Sequence, residues 1–111
     1  VVTDAPVDNH GKGAHFSPTD LVATALGTCT LTLLGIVADR HGISLEGTTV
    51  KVEKHMVAEP VRRIGRLPVD IYMGQPIKDK YKDRLVKAAE TCPVKQSVHP
   101  DIDLSINFHW K

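Results

Sequence analysis

The pattern of hydrophobic and polar residues changes several times along the chain. Residues 21–38 form a run without a charged side chain, and residues 76–91 repeat apolar side chains at helical spacing. In residues 48–57, 66–73 and 101–110, apolar and polar side chains alternate instead. Alternation is typical of half-buried strands, whereas spacings of three and four positions are typical of helices. The pattern therefore predicts two long helices and three strands.

The order of these elements indicates the fold class. The first helix is followed by two strands, a second helix, a short helix that starts at Pro93, and a last strand. A further short strand is predicted at the start of the chain, before a loop over residues 8–16. Because strands and helices do not alternate as in βαβ units, we predict an α+β fold with a mainly antiparallel sheet. The apolar face of the second helix is expected to comprise Ile77, Tyr81, Leu85, Ala88 and Ala89.

The first helix has a start signal in "SPTD", residues 17–20. Ser17 suits the N-cap, Pro18 the first helical position and Asp20 the third. This arrangement predicts a capping box in which the shorter Asp20 stands in the usual place of Glu.

The uncharged run 21–38 reaches the lower limit of length for a membrane-spanning helix. We reject that interpretation because two glycines and four threonines dilute the run, acids stand at both ends, and flanking anchors are absent. A uniformly apolar helix of a globular domain is expected to be buried on all sides. Because so small a domain rarely encloses a helix alone, we expect a second subunit to supply part of its cover.

Length and composition narrow the possible functions. The 111 residues are expected to form one domain, residues 1–111, with a formal net charge of +1 and no basic run. Nucleic acid is therefore not an expected partner. The six histidines are scattered without metal-ligand spacing, so we predict neither a metal site nor a cofactor. Two cysteines make no disulfide scaffold and the first residues lack a signal-peptide pattern, which together predict a cytoplasmic protein.

The two cysteines are the candidate reactive groups. Cys29 lies inside the apolar run, where a free cysteine is commonly a small buried hydrophobe. Cys92 precedes Pro93 and so occupies the N-cap of the short helix, where free N–H groups and the helix dipole favour a thiolate. Packing is the alternative role for Cys92 as well. The two residues lie 63 positions apart, so the sequence alone does not show that they meet.

The stretches "FSPTDLVATALGTC" and "AAETCPV", with this spacing between their cysteines, resemble the OsmC/Ohr family. Its members are relatives of osmotically induced proteins and organic hydroperoxide reductases, and the resemblance covers roughly residues 3–110. It implies curved, mainly antiparallel sheets wrapped around long buried central helices in an intertwined homodimer, with active sites at the dimer interface. It also implies that Cys29 attacks the peroxide oxygen, that Cys92 resolves the sulfenic acid as a disulfide, and that a dithiol restores both thiols.

The chain departs from the pattern of the strongly peroxidatic members and is more similar to the broader branch with "SPTDL". Those members carry a glutamate ten positions before the first cysteine, where this chain has Thr19 beside Asp20. They also supply an arginine from an N-terminal segment to hold the thiolate, and the usual N-terminal strands are expected to be absent or to lie outside this chain. Thr19 and Asp20 are therefore candidate supporting residues. The open candidates for a cation that stabilises the Cys29 thiolate are Arg40, Arg62, Arg63 and Arg66.

Three functions remain open at this point. The first is a thiol-dependent peroxidase acting on organic hydroperoxides or hydrogen peroxide. The second is a non-catalytic dimer that binds a small apolar ligand at its interface, and the third is a stress-response structural protein without a ligand. Rapid, stoichiometric formation of an intramolecular disulfide with peroxide distinguishes the first from the other two.

Overall fold

A computed structural model describes all residues, 1–111. Its elements are a 3₁₀ turn at Val7–Asn9, α1 at Pro18–His41, β1 at Thr49–Val52, β2 at His55–Val57, β3 at Arg63–Tyr72, α2 at Asp79–Glu90, α3 at Pro93–Ser97 and β4 at Asp103–His109. The predicted α+β fold is confirmed. The predicted first strand is wrong, because this segment bonds to itself: the Asp4 carboxylate accepts the backbone N–H groups of Lys12 and Ala14.

The sheet is built around β3. β1 and β2 follow one another along one edge of β3, both antiparallel to it, and β4 lies along the other edge. β4 runs parallel to β3, pairing Arg66 with Asp103 and Tyr72 with His109, because the chain crosses over through α2 and α3 before it returns. The sheet is thus mainly antiparallel, as predicted, with one parallel pair.

The alternating run 48–57 forms two strands rather than one. The Glu53 N–H donates to the Pro68 carbonyl at 3.0 Å, but Pro68 has no backbone N–H to donate to the Glu53 carbonyl. β1 therefore ends at Val52, and the register shifts between His55 and Met56 when pairing resumes. Lys54 lies in this interruption, which frees its side chain from the alternation of the strand.

The core lies between the inner face of β3 and the two long helices. Leu67, Val69 and Ile71 of β3 are fully buried, and they belong to one cluster with Leu26 of α1 and Leu85 of α2. The predicted face of α2 is confirmed, since Ile77, Leu85 and Ala89 are buried while Tyr81 and Ala88 are partly covered.

The start of α1 is as predicted. The Ser17 hydroxyl accepts the Asp20 N–H at 3.1 Å, and the Asp20 carboxylate accepts the Ser17 N–H at 2.9 Å. The helix ends at Gly42, whose left-handed φ of 63° suits glycine. Arg40 and His41 stand in the last turn, where positive charge is favourable to the helix dipole.

In the single chain α1 is not buried on all sides, because one sheet and α2 cover only part of the helix surface. The predicted cover by a second subunit stays a prediction. Only 33% of the most apolar 18-residue window of α1 is buried. By length and composition alone α1 could cross a membrane, but the core helices of many soluble proteins meet the same two criteria.

The open face of α1 comprises Leu21, Ala25, Thr28, Thr32 and Ile36, and we define it as the α1 stripe. The hydroxyls of Thr28 and Thr32 donate to carbonyls four residues earlier, at 3.0 and 2.8 Å. The stripe is therefore less polar than its sequence suggests.

Candidate functional site

The fold brings the two cysteines together. α1 packs against α3, and the side chain of Cys29 lies close enough to the Cys92 thiol to shift its pKa. Both are free thiols. Cys92 is the N-cap of α3 and Pro93 its first residue, as predicted. A contact across 63 positions depends on how the two helices cross, and no sequence pattern could have indicated it.

The two thiols differ in their access to solvent. Cys92 has no exposed surface, whereas Cys29 is only partly buried. Cys29 lies four residues after Ala25 and three before Thr32, so it borders the α1 stripe. In the single chain, Cys29 is therefore the one of the two cysteines that solvent can reach.

The environment of Cys92 keeps its thiol protonated. Burial raises the pKa of Cys92, and the neighbouring side chain of Cys29 raises it further. The backbone N–H groups of Lys95 and Val94 lower this pKa but do not overcome the burial. The predicted thiolate at Cys92 is therefore wrong in the reduced protein. The N-cap position and its N–H groups are present, but desolvation has the larger effect and α3 is only five residues long.

The "SPTD" corner contains a cation that the sequence analysis missed. Lys54 Nζ lies 2.7 Å from Asp20 Oδ1 and donates to Thr19 Oγ1 at 3.0 Å and Ser17 Oγ at 3.4 Å. These three partners match the three protons of an ammonium group. The Lys54 side chain is only 15% exposed, so the ion pair ties the interrupted strand to the start of α1.

Of the four arginines proposed as the cation beside the Cys29 thiolate, three have their polar contacts elsewhere. Arg62 pairs with Asp8 at 3.6 Å, Arg63 donates to the Ile64 carbonyl, and Arg66 lies 3.3 Å from the ring of His55. Arg40 is in the last turn of α1, about three helical turns after Cys29. Lys54 could not be singled out beforehand, because a lysine in an alternating run resembles any solvent-facing residue of a strand.

The Lys54 ammonium holds the pKa of the Asp20 carboxyl below its usual value, and the Ser17 N–H lowers that pKa further. A depressed carboxyl pKa contributes stability above the unfolded pKa, and this contribution is lost as pH falls through the folded pKa. We expect Asp20→Asn to reduce the free energy of unfolding by about 1 kcal/mol at neutral pH through weaker capping and dipole interactions. Below about pH 4, the free energy of unfolding measured with urea should also fall less in the variant than in the wild type.

Asp83→Asn is the matched control, because Asp83 is exposed on α2. It should leave both the neutral stability and the acid dependence close to those of the wild type. An acid dependence in Asp20→Asn equal to that of the wild type would show that the Lys54–Asp20 pair contributes nothing.

A groove of about 460 Å³ lies between α1 and β1. Its lining comprises Phe16, Asp20, Ala23, Thr24, Gly27, Thr28, Val50, Val52 and Lys54. Gly27 permits the close approach of β1, since a Cβ there would come within 3.1 Å of Val52 Cγ2. The groove lies across the α1 stripe from Cys29, which is not part of its lining. No group of three or more His, Cys, Asp or Glu side chains is arranged to hold a metal ion.

Comparisons with known proteins identify the family of this chain. A family model described as OsmC-like protein matches residues 10–107. A Psychrobacter arcticus protein, described as a proposed osmotic stress induced and detoxification response protein, is 48% identical over 96% of this chain and 77% of its own, with a TM-score of 0.89.

More distant structures share the fold. The organic hydroperoxide resistance protein OsmC of Legionella pneumophila is 20% identical over 95% of this chain and 77% of its own, with a TM-score of 0.77. The organic hydroperoxide resistance protein OhrB of Bacillus subtilis is 18% identical over 86% and 72%, with a TM-score of 0.69. A comparison with curated proteins found no match.

Proposed function

Because the chain belongs to the OsmC-like family, we propose that it is a cytoplasmic, homodimeric thiol peroxidase that reduces organic hydroperoxides or hydrogen peroxide. Family membership supports the general class, a redox protein of peroxiredoxin-like chemistry. The observation that carries the finer proposal is the pair of neighbouring free thiols, with Cys29 partly open and Cys92 buried.

The pair supports a balanced two-step reduction. The Cys29 thiolate attacks the terminal peroxide oxygen, the O–O bond breaks, and the alkoxide leaves as an alcohol after taking up a proton. Cys29 is then a sulfenic acid. The Cys92 sulfur attacks the Cys29 sulfur, and hydroxide departs as water with the proton from Cys92. A dithiol then donates two electrons and two protons, which restores both thiols.

The α1 stripe supports the proposed homodimer. It exposes a surface without charge along about four helical turns, and its threonine hydroxyls are already bonded to the helix backbone. Such a surface can be buried without leaving unpaired polar groups. Cys29 at its border would then lie at the edge of the dimer interface.

The direct test is a mass measurement after one equivalent of cumene hydroperoxide. We expect the wild-type chain to lose two hydrogen atoms within seconds, as one intramolecular disulfide forms for each hydroperoxide consumed. Cys29→Ser is the control for oxidation elsewhere in the chain. An unchanged mass after this treatment would contradict the peroxidase proposal.

Thr19 and Asp20 are proposed to act in the helix start and only weakly in catalysis. Asp20 is already engaged by Lys54 and Ser17, so we expect Asp20→Asn to slow oxidation of Cys29 less than about tenfold, or roughly 1.4 kcal/mol of barrier. Thr19→Glu should not increase this rate, because its carboxylate would meet Lys54 rather than an arginine. Stopped-flow measurements with hydroperoxide check both. A hundredfold loss in folded Asp20→Asn would show that Asp20 acts as a catalytic carboxylate.

One observation favours the second candidate function, binding of a small apolar ligand. The groove between α1 and β1 is within the usual size range of small-molecule sites and has the apolar side chains of Ala23, Val50 and Val52 in its walls. Two results together would favour this function. The protein would be inert to hydroperoxide, and it would bind a hydrophobic fluorescent probe that Ala23→Glu no longer binds.

A further inference from the structure

We infer that the reductant which regenerates this protein attacks the sulfur of Cys29, and that Cys92 is always the thiol released from the disulfide. This inference rests on the Cys29–Cys92 disulfide of the proposed function. It assigns the direction of the reductive half-reaction, in which the entering thiol bonds to one sulfur and expels the other.

Access determines which sulfur is attacked. Thiol–disulfide exchange requires the entering sulfur to come into bonding contact with the sulfur that it attacks. Cys92 has no exposed surface, and it belongs to the same core cluster as Leu85 and Ala89 of α2. A reductant could reach the Cys92 sulfur only after α3 had separated from α1. Cys29 is partly exposed in the single chain and borders the α1 stripe, so at the edge of the proposed dimer interface it can be reached without separation of α3.

The leaving tendency of Cys92 does not decide the direction. Burial raises the pKa of Cys92, which slows its departure, while the backbone N–H groups of Lys95 and Val94 lower that pKa and offset the burial only in part. Access to the two sulfurs therefore determines which of them the reductant attacks.

The steps balance with a dithiol as reductant. Its first thiolate bonds to Cys29 and expels the Cys92 thiolate, which takes up a proton. Its second thiolate then attacks the first sulfur of the reductant, closes the reductant's own disulfide and releases the Cys29 thiolate. Two electrons pass to the protein, and no group beyond the dithiol is required.

The first test locates the mixed disulfide in the wild-type chain. Diamide forms the Cys29–Cys92 disulfide without peroxide, so the test does not depend on peroxidase activity. N-acetylcysteine is added in excess, the reaction is stopped with acid at short times, and the protein is denatured, alkylated and digested. Mass spectrometry should find N-acetylcysteine on the peptide with Cys29 and the alkyl group on Cys92.

The second test compares the two sulfurs one at a time. Cys92→Ser and Cys29→Ser are each converted under mild denaturation to the mixed disulfide with thionitrobenzoate, refolded, and treated with dithiothreitol. Release of the yellow thiolate should be about tenfold or more faster from Cys29 than from Cys92, because attack at Cys92 requires local opening. In denaturing urea the two rates should converge, which controls for intrinsic differences between the adducts.

Adducts on Cys92, or on both cysteines equally, would overturn the inference. Equal release rates in the folded variants would do the same, as would failure of diamide to join the two thiols. A protein that passes both tests but does not consume hydroperoxide would refute the proposed peroxidase function and leave the assignment of the attacked sulfur intact.

Discussion

Cys29→Ser is expected to abolish hydroperoxide consumption, whereas Cys92→Ser is expected to complete one turnover and stop. Cys29 is the partly open member of the pair, and the serine hydroxyl that would replace it is a far weaker nucleophile than a thiolate. We expect the rate of the first turnover in Cys29→Ser to fall about a thousandfold or more, or ~4 kcal/mol of barrier. In Cys92→Ser the first turnover should remain, because Cys92 acts only after the O–O bond has broken.

The measurement follows hydroperoxide loss in stopped flow, together with trapping of sulfenic acid by dimedone. The dimedone adduct should form on Cys29 in the Cys92→Ser variant and be nearly absent from the wild type, where the disulfide forms first. Circular dichroism before the reaction shows that each variant is folded. Equal loss of the first turnover in both variants would contradict the assignment of Cys29 as the attacking residue and Cys92 as the resolving one.

Much of the local structure was predictable because it depends on neighbours in the chain. The capping box of α1 needs only Ser17 and Asp20, three positions apart, and the structure shows both of its hydrogen bonds. The buried face of α2 follows from helical spacing, and the N-cap position of Cys92 follows from Pro93. Each of these features is determined within one or two turns of helix, where residue type and spacing are sufficient.

The features that the sequence did not predict depend on contacts between distant segments. The strand interruption at Glu53 arises because the register places Pro68 opposite it, and that register is set by the whole of β3. The role of Lys54 follows from this interruption. The high pKa of Cys92 depends on how completely α1 and α2 cover it. Residue types alone do not indicate how completely distant segments cover a side chain.

The second large effect is expected on the oligomeric state of the protein. We expect the wild-type protein to be an obligate homodimer through the α1 stripe, because a chain of this size does not cover its longest apolar helix alone. Thr28→Lys places an ammonium in the middle of this surface, where the partner would have to bury it unpaired. The dimer dissociation constant should rise about a hundredfold or more, or roughly 3 kcal/mol.

Asp83→Lys is the matched control, since it introduces the same side chain at an exposed position of α2 away from the stripe. It should remain dimeric. Light scattering and sedimentation at micromolar concentration give the mass of each variant, and circular dichroism reports whether a dissociated chain unfolds. Because the open face of α1 would meet water in a monomer, we expect dissociation of Thr28→Lys to be accompanied by loss of helical structure. A wild-type chain that is a stable folded monomer at micromolar concentration would exclude the dimer, and a Thr28→Lys dimer as tight as that of the control would exclude the α1 stripe as its interface.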